Sequence, residues 1–357
     1  MAKIGINGFG RIGRLTFRAI KEYHSETISA VAANGSSDAK TNAHLIKWDS
    51  VYRKYHGQIE AFEDFVFVDG EKVDFYSTRD PHMIPWGELD VDIVIDCTGT
   101  LKNSEQIKGH LENGAKRVIV SAPSTMADIT IIQGINETTY DPAKHRIISG
   151  ASCTSNCIIP VAKVLHDDFG INKGFFTTIH AYTGDQQLLD RAHDSLRRSR
   201  SAAVNIIPTT TGAAKTIGQI IPDLEGKIDG MAIRVPVPAG SLVDFVVELN
   251  NNAFAEAVNE SFRRASKGSL KGILDYSDEE LVSSDYIGST ASSIIDARST
   301  EVLGDNLVKV LAWFDNEWGY CCRMADLASY IAQQDEIYGA NRPDKAVEYV
   351  FPILQVA

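Results

Sequence analysis

A cysteine within a run of small and hydroxyl-bearing residues is the first feature that could do chemistry. The segment Ser149–Cys157 reads SGASCTSNC and is followed by an apolar stretch, Ile158–His166, that is predicted to be helical. At the start of a helix the macrodipole lowers the pKa of a thiol and favours the thiolate. Cys153 is therefore a candidate nucleophile. Cys157, one turn later, is expected to be buried and inert.

A histidine at the end of a predicted strand could serve as the base. His180 ends the predicted strand Gly174–His180 and stands just before an arginine-rich segment, Gly184–Val204. A thiolate that attacks an aldehyde forms a thiohemiacetal, which can lose a hydride to a nicotinamide. That chemistry needs a group to take the hydroxyl proton. A lone histidine is more often structural, so its presence alone does not establish a catalytic role.

A glycine-rich turn near the N-terminus could hold a dinucleotide. The sequence NGFGRIGR carries a GxGxxG pattern between a predicted strand, Lys3–Asn7, and a predicted helix, Arg11–His24. Such glycines allow a tight turn and a close approach to a pyrophosphate, and the helix N-terminus supplies free N–H groups. In this context the pattern predicts dinucleotide binding rather than a plain turn. The residues expected at the pyrophosphate are Gly8, Gly10, Arg11, Ile12 and Gly13.

The end of the next predicted strand, Ile28–Ala33, lacks the acidic residue that usually binds the adenosine ribose. That Asp or Glu stands about 20 residues after the glycine loop. Here the strand is followed by Asn34, Gly35 and Ser36, and no acid appears before Asp38. A carboxylate would repel a 2′-phosphate, so its absence makes NADP admissible. The alternative is that Asp38 or the backbone holds the ribose and the cofactor is NAD.

Short apolar strands alternate with amphipathic helices in the first part of the chain. Two further predicted strands, Val91–Cys97 and Arg117–Ser121, are almost continuously apolar, which suits parallel strands buried on both faces. This alternation predicts an α/β Rossmann-type, doubly wound dinucleotide-binding domain over residues 1–152. A C-terminal helix at about 319–333 is expected to complete this domain.

Longer predicted strands with few helices follow Cys153. They are Gly174–His180, Gly230–Val237, Ser241–Leu249 and Asn306–Phe314, with a helix at Phe254–Lys267. This pattern predicts an α+β catalytic domain with a mostly antiparallel sheet over residues 153–318. The arginine-rich segment is expected to be a long ordered loop with a function, because loops of that length are uncommon in compact domains. Residues 334–357 are interpreted as a C-terminal extension.

The composition narrows the classes of partner and compartment. The chain has 357 residues and a net charge of −12, which argues against nucleic acid or an anionic membrane as the main partner. No apolar run approaches the roughly 20 residues that span a bilayer, and the N-terminus lacks a signal-peptide core. The five cysteines are scattered and odd in number, a poor basis for disulfides. We expect a cytoplasmic protein, and we predict no metal site.

Six motifs carry a resemblance to a known family. They occur in the order ASCTSNC, TTIHAYTGDQ, LRRSR, IIPTTTGAAK, MAIRVPVP and WFDNEWGY. Together they resemble the phosphorylating glyceraldehyde-3-phosphate dehydrogenases, from residue 3 to about residue 333. The resemblance implies reversible oxidation of glyceraldehyde 3-phosphate to 1,3-bisphosphoglycerate, through a thiohemiacetal and an acyl thioester on the cysteine. It also implies inorganic phosphate as a second substrate, NAD or NADP as cofactor, and a homotetramer.

The resemblance assigns a role to each matching residue. Cys153 would be the nucleophile and His180 its base, and an ion pair between them would depress the pKa of the thiol further. The substrate's own phosphate would bind at Thr183, Asp185 and Arg234. The attacking phosphate would bind at Ser152, Thr154, Arg198, Thr211 and Gly212. Asn316 would hold the nicotinamide carboxamide, and the other cofactor residues would be Asn34, Gly35, Ser36, Arg79, Ser121 and Arg191.

Several positions depart from the usual pattern of that family. Gly150 and Ser155 replace an asparagine and a threonine beside the cysteine, and Gly184 replaces an asparagine after the histidine motif. PVPAGS replaces PVPNVS next to Arg234, and Val51–Tyr55 replaces a THGR-like segment. We expect these changes to affect the shape of the substrate site or the contacts between subunits.

Two other functions compete with this interpretation. Erythrose-4-phosphate dehydrogenase shares the thiol–imidazole pair but releases an acid by hydrolysis, and it typically loses the phosphate loop that is intact here as Thr209–Gly212. A non-catalytic binding protein on the same scaffold would be expected to lose at least one of Cys153, His180 and Arg234. All three are present, so phosphorolytic oxidation is favoured.

Three observations favour NADP over NAD. The site of the ribose-binding carboxylate is Gly35, and the hydroxyl-bearing Ser36 and Ser37 follow it. In the arginine-rich loop, members of the family that are strict for NAD usually carry Leu-Pro, whereas this chain has Arg191-Ala192. Since the resemblance implies that this loop reaches the cofactor of a neighbouring subunit, Arg191 could bind a 2′-phosphate.

Overall fold

Two large β-sheets with helices packed on them make up the computed structural model, which describes residues 1–340. In chain order its strands are β1 (Ala2–Asn7), β2 (Ile28–Asn34), β3 (Trp48–Asp49), β4 (Arg53–Lys54), β5 (Ile59–Ala61), β6 (Phe65–Val68), β7 (Glu71–Tyr76), β8 (Ile93–Asp96), β9 (Arg117–Val120), β10 (Ile129–Thr130), β11 (Ile147–Ser149), β12 (Ile171–Ala181), β13 (Ile207–Thr209), β14 (Ile228–Val235), β15 (Ser241–Leu249), β16 (Leu274–Ser277), β17 (Ser293–Leu303) and β18 (Leu307–Phe314).

The α-helices of the described residues are α1 (Arg11–Tyr23), α2 (Ala39–Lys47), α3 (Lys108–Glu112), α4 (Cys153–Phe169), α5 (Ala213–Ile220), α6 (Ala255–Lys267) and α7 (Trp318–Ala340). Short 3₁₀ helices occur at Pro81–Met83, Glu105–Ile107, Glu137–Thr139, Ala202–Val204, Pro222–Leu224 and Ser283–Tyr286. No helix in residues 1–340 is long and apolar enough to cross a membrane.

The first sheet has the order β10-β11-β9-β8-β1-β2-β7-β6-β5. All neighbours from β10 to β7 are parallel, and β6 and β5 form an antiparallel edge. Strand β1 lies between β2 and β8, so the direction of winding reverses there, which is where doubly wound sheets bind their ligands. The predicted Rossmann-type domain is confirmed in its fold class. Its division from the second domain near residue 152 stays a prediction.

The antiparallel edge was not predicted, although its sequence carries a signal. Strands β6 and β7 are joined by Asp69 and Gly70, with φ values of 52° and 82°. Two consecutive residues at positive φ form the tight turn that Asp-Gly favours between antiparallel strands. The alternating segment FVFVDGEKV therefore encodes a hairpin.

The second sheet has the order β13-β14-β12-β15-β18-β17-β16. Only the β12–β14 and β16–β17 pairs are parallel, so the predicted mostly antiparallel sheet is confirmed. The predicted strand Gly174–His180 is longer in the structure, and Ser241–Leu249 has the predicted bounds. His180 lies near the carboxyl end of β12, which is an interior strand of this sheet.

Helix α4 begins at the predicted nucleophile. Ser152 is its N-cap residue, and the Ser152 side chain accepts a hydrogen bond from the backbone N–H of Ser155 at 3.1 Å. The helix ends at Gly170, whose φ of 69° suits glycine. Cys157 is fully buried, as expected. The local sequence therefore places Cys153 in the first turn.

The C-terminal helix α7 is longer than predicted. It runs to Ala340 rather than to residue 333, so the first part of the expected extension is helical. The rest of that extension, 341–357, lies outside the described residues. Although α7 follows the second sheet in the chain, it packs against α1 on the first sheet, with Cys321 and Ala325 in the shared core.

The arginine-rich segment forms the long ordered loop that was predicted. Between β12 and the 3₁₀ helix at Ala202–Val204 it has no regular helix or paired strand beyond one isolated bridge. Asp190 holds it together by accepting hydrogen bonds from Arg200 Nε at 2.6 Å and from the backbone N–H of Ser201 at 2.9 Å. Local polar contacts therefore order a loop that lacks secondary structure.

Candidate active site

The structure brings the predicted nucleophile and base together. Cys153 enters from the first turn of α4 and His180 from the end of β12, and Sγ lies 3.3 Å from Nε2. Cys153 is half-buried, whereas His180 is only 3% exposed. Because sulfur and nitrogen are within hydrogen-bond distance, a proton can pass directly between them.

Arg234 lies beside His180 on the neighbouring strand. His180 on β12 and Arg234 on β14 are register partners across the parallel pair. Arg234 Nη1 is 2.9 Å from His180 Nδ1 and 3.0 Å from the carbonyl oxygen of Ala181. The same carbonyl lies 2.7 Å from Nδ1. A doubly protonated imidazole would therefore direct one N–H at the Arg234 guanidinium. Because the two positive groups repel each other, the neutral ring is favoured.

Burial controls the protonation of the pair. Desolvation lowers the pKa of His180 to about 3, and the positive charge of Arg234 acts in the same direction. Desolvation also raises the pKa of the Cys153 thiol, against the opposing effects of Arg234 and of the Thr154 backbone N–H. Burial therefore opposes the expected ion pair, because two charges are costly to separate in a buried pocket, and the depressed thiol pKa stays a prediction.

The residues assigned to the substrate's own phosphate do not form one group. Arg234 Nη1 donates to Thr183 Oγ1 at 3.4 Å, so these two side chains are in contact. Asp185 is instead paired with Arg198, at 2.6 Å between Oδ2 and Nη1. A carboxylate repels phosphate, so Asp185 is not suited to bind it directly. Its ion pair instead orients Arg198. The buried Nε of Arg234 has no partner among the described residues, and it remains available to an anion.

The residues assigned to the attacking phosphate lie at helix N-termini and on the loop. Arg198 Nε donates to Thr209 Oγ1 at 3.0 Å, which directs the guanidinium toward the start of α5. Thr211 and Gly212 precede that helix, and Thr211 Oγ1 accepts from the Ala213 backbone N–H at 3.3 Å. Ser152 and Thr154 stand at the start of α4. Free N–H groups and a guanidinium suit a phosphate dianion.

The three glycines of the N-terminal loop have different surroundings. A Cβ on Gly8, whose φ is 90°, would lie 2.6 Å from the backbone nitrogen of Thr98. A Cβ on Gly13 would lie 2.4 Å from the carbonyl oxygen of Gly8. A Cβ on Gly10 would meet nothing within 4 Å. Gly8 and Gly13 therefore allow close packing, while Gly10 leaves the N-terminus of α1 open.

Arg11 and Ile12 can approach a pyrophosphate only through their backbone. The Arg11 guanidinium contacts Asp49 and donates from Nε to Glu317 at 3.1 Å, so two carboxylates pair its charge. Ile12 packs against the core of the first sheet and its carbonyl accepts from Cys321. The structure places these two residues in the first turn of α1 rather than on the loop before it, and the charge of Arg11 is already paired.

An open cleft of about 960 Å³ begins at the glycine loop. Gly8 and Gly10 line it, and so do Asn34, Gly35, Ser36 and Arg79. Asn34 bonds to Asn7 at 2.8 Å and to the backbone of Thr78 at 2.9 and 3.0 Å, so it holds the wall of the cleft together. Ser121 and the exposed Arg191 are not among the lining residues.

Asp38, the first acid after β2, is engaged elsewhere. It is the N-cap of α2, where Oδ1 accepts from the Thr41 backbone N–H at 2.6 Å. That hydrogen bond lowers the pKa of the carboxyl. Asp38 does not line the cleft, in contrast to Gly35, Ser36 and Ser37. The cleft wall at the end of β2 is therefore built from a glycine and two serines.

Asn316 has a free amide group in a buried position. Its Oδ1 accepts from Ser241 Oγ at 2.8 Å, while its Nδ2 is buried and has no partner in residues 1–340. Ser241 Oγ also accepts from the Ala181 backbone N–H at 3.0 Å, which ties Asn316 to the strand of His180. A buried unpaired donor is costly, and a nicotinamide carboxamide oxygen would satisfy it. Sequence reasoning missed Ser241, whose only signal is a hydroxyl at the start of a predicted strand.

No cluster of three metal-ligating side chains occurs among residues 1–340. The chemical groups that the structure does bring together are a thiol, an imidazole, two guanidinium groups and helix N-termini. They suit thiol chemistry on a phosphorylated substrate, next to a dinucleotide cleft.

Family models and individual relatives agree with this arrangement. A model described as glyceraldehyde 3-phosphate dehydrogenase, NAD binding domain, matches residues 2–104, and one described as the C-terminal domain of that enzyme matches residues 152–316. The first indicates a nicotinamide dinucleotide as the cofactor.

Three relatives illustrate how much of the chain is similar. Glyceraldehyde-3-phosphate dehydrogenase 2 of Bacillus subtilis (strain 168) is 51% identical over 92% of this chain and 96% of its own length. Glyceraldehyde-3-phosphate dehydrogenase of Geobacillus stearothermophilus is 51% identical over 93% and 98%. Glyceraldehyde-3-phosphate dehydrogenase 2 of Nostoc sp. (strain PCC 7120) is 50% identical over 94% and 99%. The chain belongs to the glyceraldehyde-3-phosphate dehydrogenase family.

Proposed function

We propose that this chain catalyses the reversible phosphorylating oxidation of glyceraldehyde 3-phosphate to 1,3-bisphosphoglycerate. The observation that carries the proposal is the 3.3 Å contact between Cys153 Sγ and His180 Nε2, with Arg234 beside the ring. The membership of the family and the free amide of Asn316 support it.

Proton transfer between the thiol and the imidazole drives the first half of the reaction. Cys153 forms a bond to the aldehyde carbon as its proton passes to His180, which returns it to the carbonyl oxygen to give a thiohemiacetal. When bound, the nicotinamide ring supplies the hydride acceptor. In the oxidation step His180 Nε2 takes the hydroxyl proton, and an acyl thioester remains on Cys153. Asn316 Nδ2 would orient the carboxamide.

Phosphate completes the second half. A phosphate oxygen bonds to the thioester carbon, the carbon–sulfur bond breaks, and the Cys153 thiolate recovers the proton from His180. Arg198 and the N–H groups that follow Thr211 would bind this phosphate, and Arg234 with Thr183 would bind the phosphate of the substrate. This division agrees with the pairing of Asp185 to Arg198, which leaves Asp185 to orient the guanidinium.

The phosphate requirement tests the proposed function. Wild type should form an acyl phosphate only when inorganic phosphate is present. Removal of a charged hydrogen bond in Arg198→Ala should raise the apparent KM for phosphate about tenfold or more, and Thr211→Ala should raise it less. Arg197→Ala, the exposed neighbour on the same loop, is the matched control. Release of the free acid at full rate without phosphate would instead identify a hydrolytic enzyme of the erythrose-4-phosphate dehydrogenase type.

We also propose that NADP is preferred over NAD. The cleft wall of Gly35, Ser36 and Ser37 offers hydroxyls and no carboxylate, and the nearby Asp38 is used as a helix cap. Arg191 is exposed on the long loop and would reach the cofactor of a neighbouring subunit. Together these residues would admit and bind a 2′-phosphate.

A homotetramer would explain the apolar surface of the long loop. Five apolar side chains in or next to the loop are between 70% and 85% exposed: Leu188, Leu189, Leu196, Val204 and Ile206. A cluster of this kind is typical of a surface covered by another subunit. Light scattering should give four times the chain mass of 39.1 kDa, and a monomer would also remove the proposed role of Arg191.

A further inference from the structure

The residue two places before the nucleophile has a strained backbone. Ala151 has φ of 55°, a left-handed conformation that is uncommon for residues other than glycine. It is fully buried and joins β11 to Ser152, the N-cap of α4. Because Cys153 begins α4, the backbone angle at Ala151 directs the thiol. Such strain persists only where surrounding contacts fix it.

Two kinds of hydrogen bond hold this turn. Local ones come from Asn156 Nδ2, which donates to the carbonyl oxygens of Gly150 at 3.0 Å and Ser152 at 2.9 Å. The carbonyl oxygen of Ala151 accepts a hydrogen bond at 2.9 Å from the hydroxyl of Tyr320, a residue distant in the sequence. Tyr320 is 5% exposed, and burial raises the pKa of its hydroxyl well above the usual range. The hydroxyl therefore keeps its proton and acts as a donor.

Tyr320 also stands next to the residue assigned to the nicotinamide. It lies in the first turn of α7, four residues after Asn316 with its free amide. Asn316 is in turn fixed by Ser241, which bonds to the strand of His180. One short segment, 316–320, thus contacts the nucleophile turn on one side and would contact the cofactor on the other.

We propose that Tyr320 is a positioning residue for Cys153. Its hydroxyl holds the left-handed turn at Ala151, which keeps Sγ against His180 and fixes the distance from the thiohemiacetal carbon to the nicotinamide held by Asn316. This inference rests on the proposed function. Neither composition nor motif spacing indicates it, because the contact joins residues 169 positions apart.

Replacing the hydroxyl tests the proposal. Tyr320→Phe should lower kcat about tenfold, leave the KM for the cofactor within twofold, and increase the kinetic isotope effect with substrate deuterated at the aldehyde carbon, since hydride transfer would become slower. Alkylation of Cys153 by iodoacetamide should shift to higher pH. Tyr330→Phe, on the same helix and with no hydroxyl partner among residues 1–340, is the matched control. Unchanged kcat and alkylation in Tyr320→Phe would overturn the proposal.

A second substitution separates positioning from a general loss of packing. Glycine takes positive φ without steric cost, so Ala151→Gly in the Tyr320→Phe background should recover most of the lost kcat and restore the alkylation profile. A double variant no better than Tyr320→Phe would contradict the role of the turn. Alkylation needs no turnover, so this comparison holds even if wild type fails to oxidise glyceraldehyde 3-phosphate, an outcome that would reject the proposed function alone.

Discussion

At the scale of single residues, the candidate site depends on a thiol and an imidazole placed within reach of a direct proton transfer. The thiol and the imidazole are within 3.3 Å, and burial raises the pKa of one and lowers that of the other. Burial therefore opposes charge on both groups. The sequence allowed both residues to be identified. It did not allow their protonation to be predicted, because desolvation depends on packing that no local pattern reveals.

Replacing the nucleophile should abolish oxidation and spare cofactor binding. In Cys153→Ser an alcohol replaces a thiol and is a much weaker nucleophile, so kcat should fall by more than about a thousandfold. Cofactor affinity, followed by fluorescence titration, should stay within twofold. Cys157→Ser is the matched control, since this fully buried thiol donates to Ser293 Oγ and to the Ala312 carbonyl oxygen, each at 3.8 Å. A Cys153→Ser enzyme within tenfold of wild type would exclude the thiol mechanism.

Buried His180 should make the protein less stable in mild acid. Its pKa is about 3 in the folded chain and about 6.5 when unfolded. Between these values the unfolded chain binds a proton that the folded chain does not, so stability falls as pH falls below 6.5. At pH 5 the loss should be about 2 kcal/mol relative to pH 7.

Denaturant unfolding at pH 5 and pH 7 measures this loss. His180→Asn should reduce the difference between the two pH values by that amount, while the control His56→Asn, at an exposed position, should leave it unchanged. An equal difference in wild type and His180→Asn would show that His180 is protonated at pH 5.

At the scale of elements, a strand end and a helix start do most of the positioning. His180 lies near the end of β12 and Cys153 in the first turn of α4. Asn316 lies two residues before the start of α7. The GxGxxG loop is predicted to do the same for the dinucleotide. Its three glycines look alike in the sequence, but the structure distinguishes two that pack closely from one that faces open space.

Alanine substitutions should separate these glycine roles. In Gly13→Ala the added Cβ would lie 2.4 Å from the backbone of Gly8. The free energy of unfolding should therefore fall by about 2 kcal/mol, a loss typical of overpacked core sites. Gly10→Ala meets no atom within 4 Å and should fold as stably as wild type. It should still raise the Kd for the dinucleotide, because its methyl group occupies space next to the helix N-terminus. Equal stabilities for the two variants would contradict this distinction.

Local patterns predicted the elements better than the contacts between them. Ser241–Leu249 was predicted to the residue because alternation and a serine mark its bounds. Helix α4 was predicted from its apolar stretch, Ile158–His166, and begins earlier, at Cys153. The pairing of Asp185 with Arg198 and the bond from Tyr320 to Ala151 were not predicted. They join segments whose relative placement depends on the whole fold. The Asp69-Gly70 hairpin is different, since its sequence carried a sufficient signal.

At the scale of the whole molecule, the cofactor site is shared between distant segments and, under the proposed tetramer, between subunits. Gly35 is part of the cleft wall, whereas Arg191 is exposed on the loop and outside that cleft. The proposed NADP preference would therefore have one part within the chain and one part that needs a neighbouring subunit. Dissociation of the assembly should remove only the contribution of Arg191.

A double substitution should move the cofactor preference from NADP toward NAD. Gly35→Asp restores a carboxylate that repels the 2′-phosphate, and Arg191→Leu removes a charge-assisted hydrogen bond of about 1.5–3 kcal/mol. The ratio of kcat/KM for NADP to that for NAD should therefore fall by at least about tenfold. Because a Cβ at Gly35 lies 3.2 Å from the Phe9 Cβ, a small shift of Phe9 is expected.

The control for that shift is Gly35→Asn, which has the same shape as the aspartate but no charge. If repulsion of the phosphate governs the preference, Gly35→Asn should retain much more NADP activity than Gly35→Asp. If both variants lose NADP equally, the steric change is responsible. A wild-type preference for NAD of tenfold or more, or a double variant whose ratio does not move toward NAD, would refute the proposed role of Gly35 and Arg191.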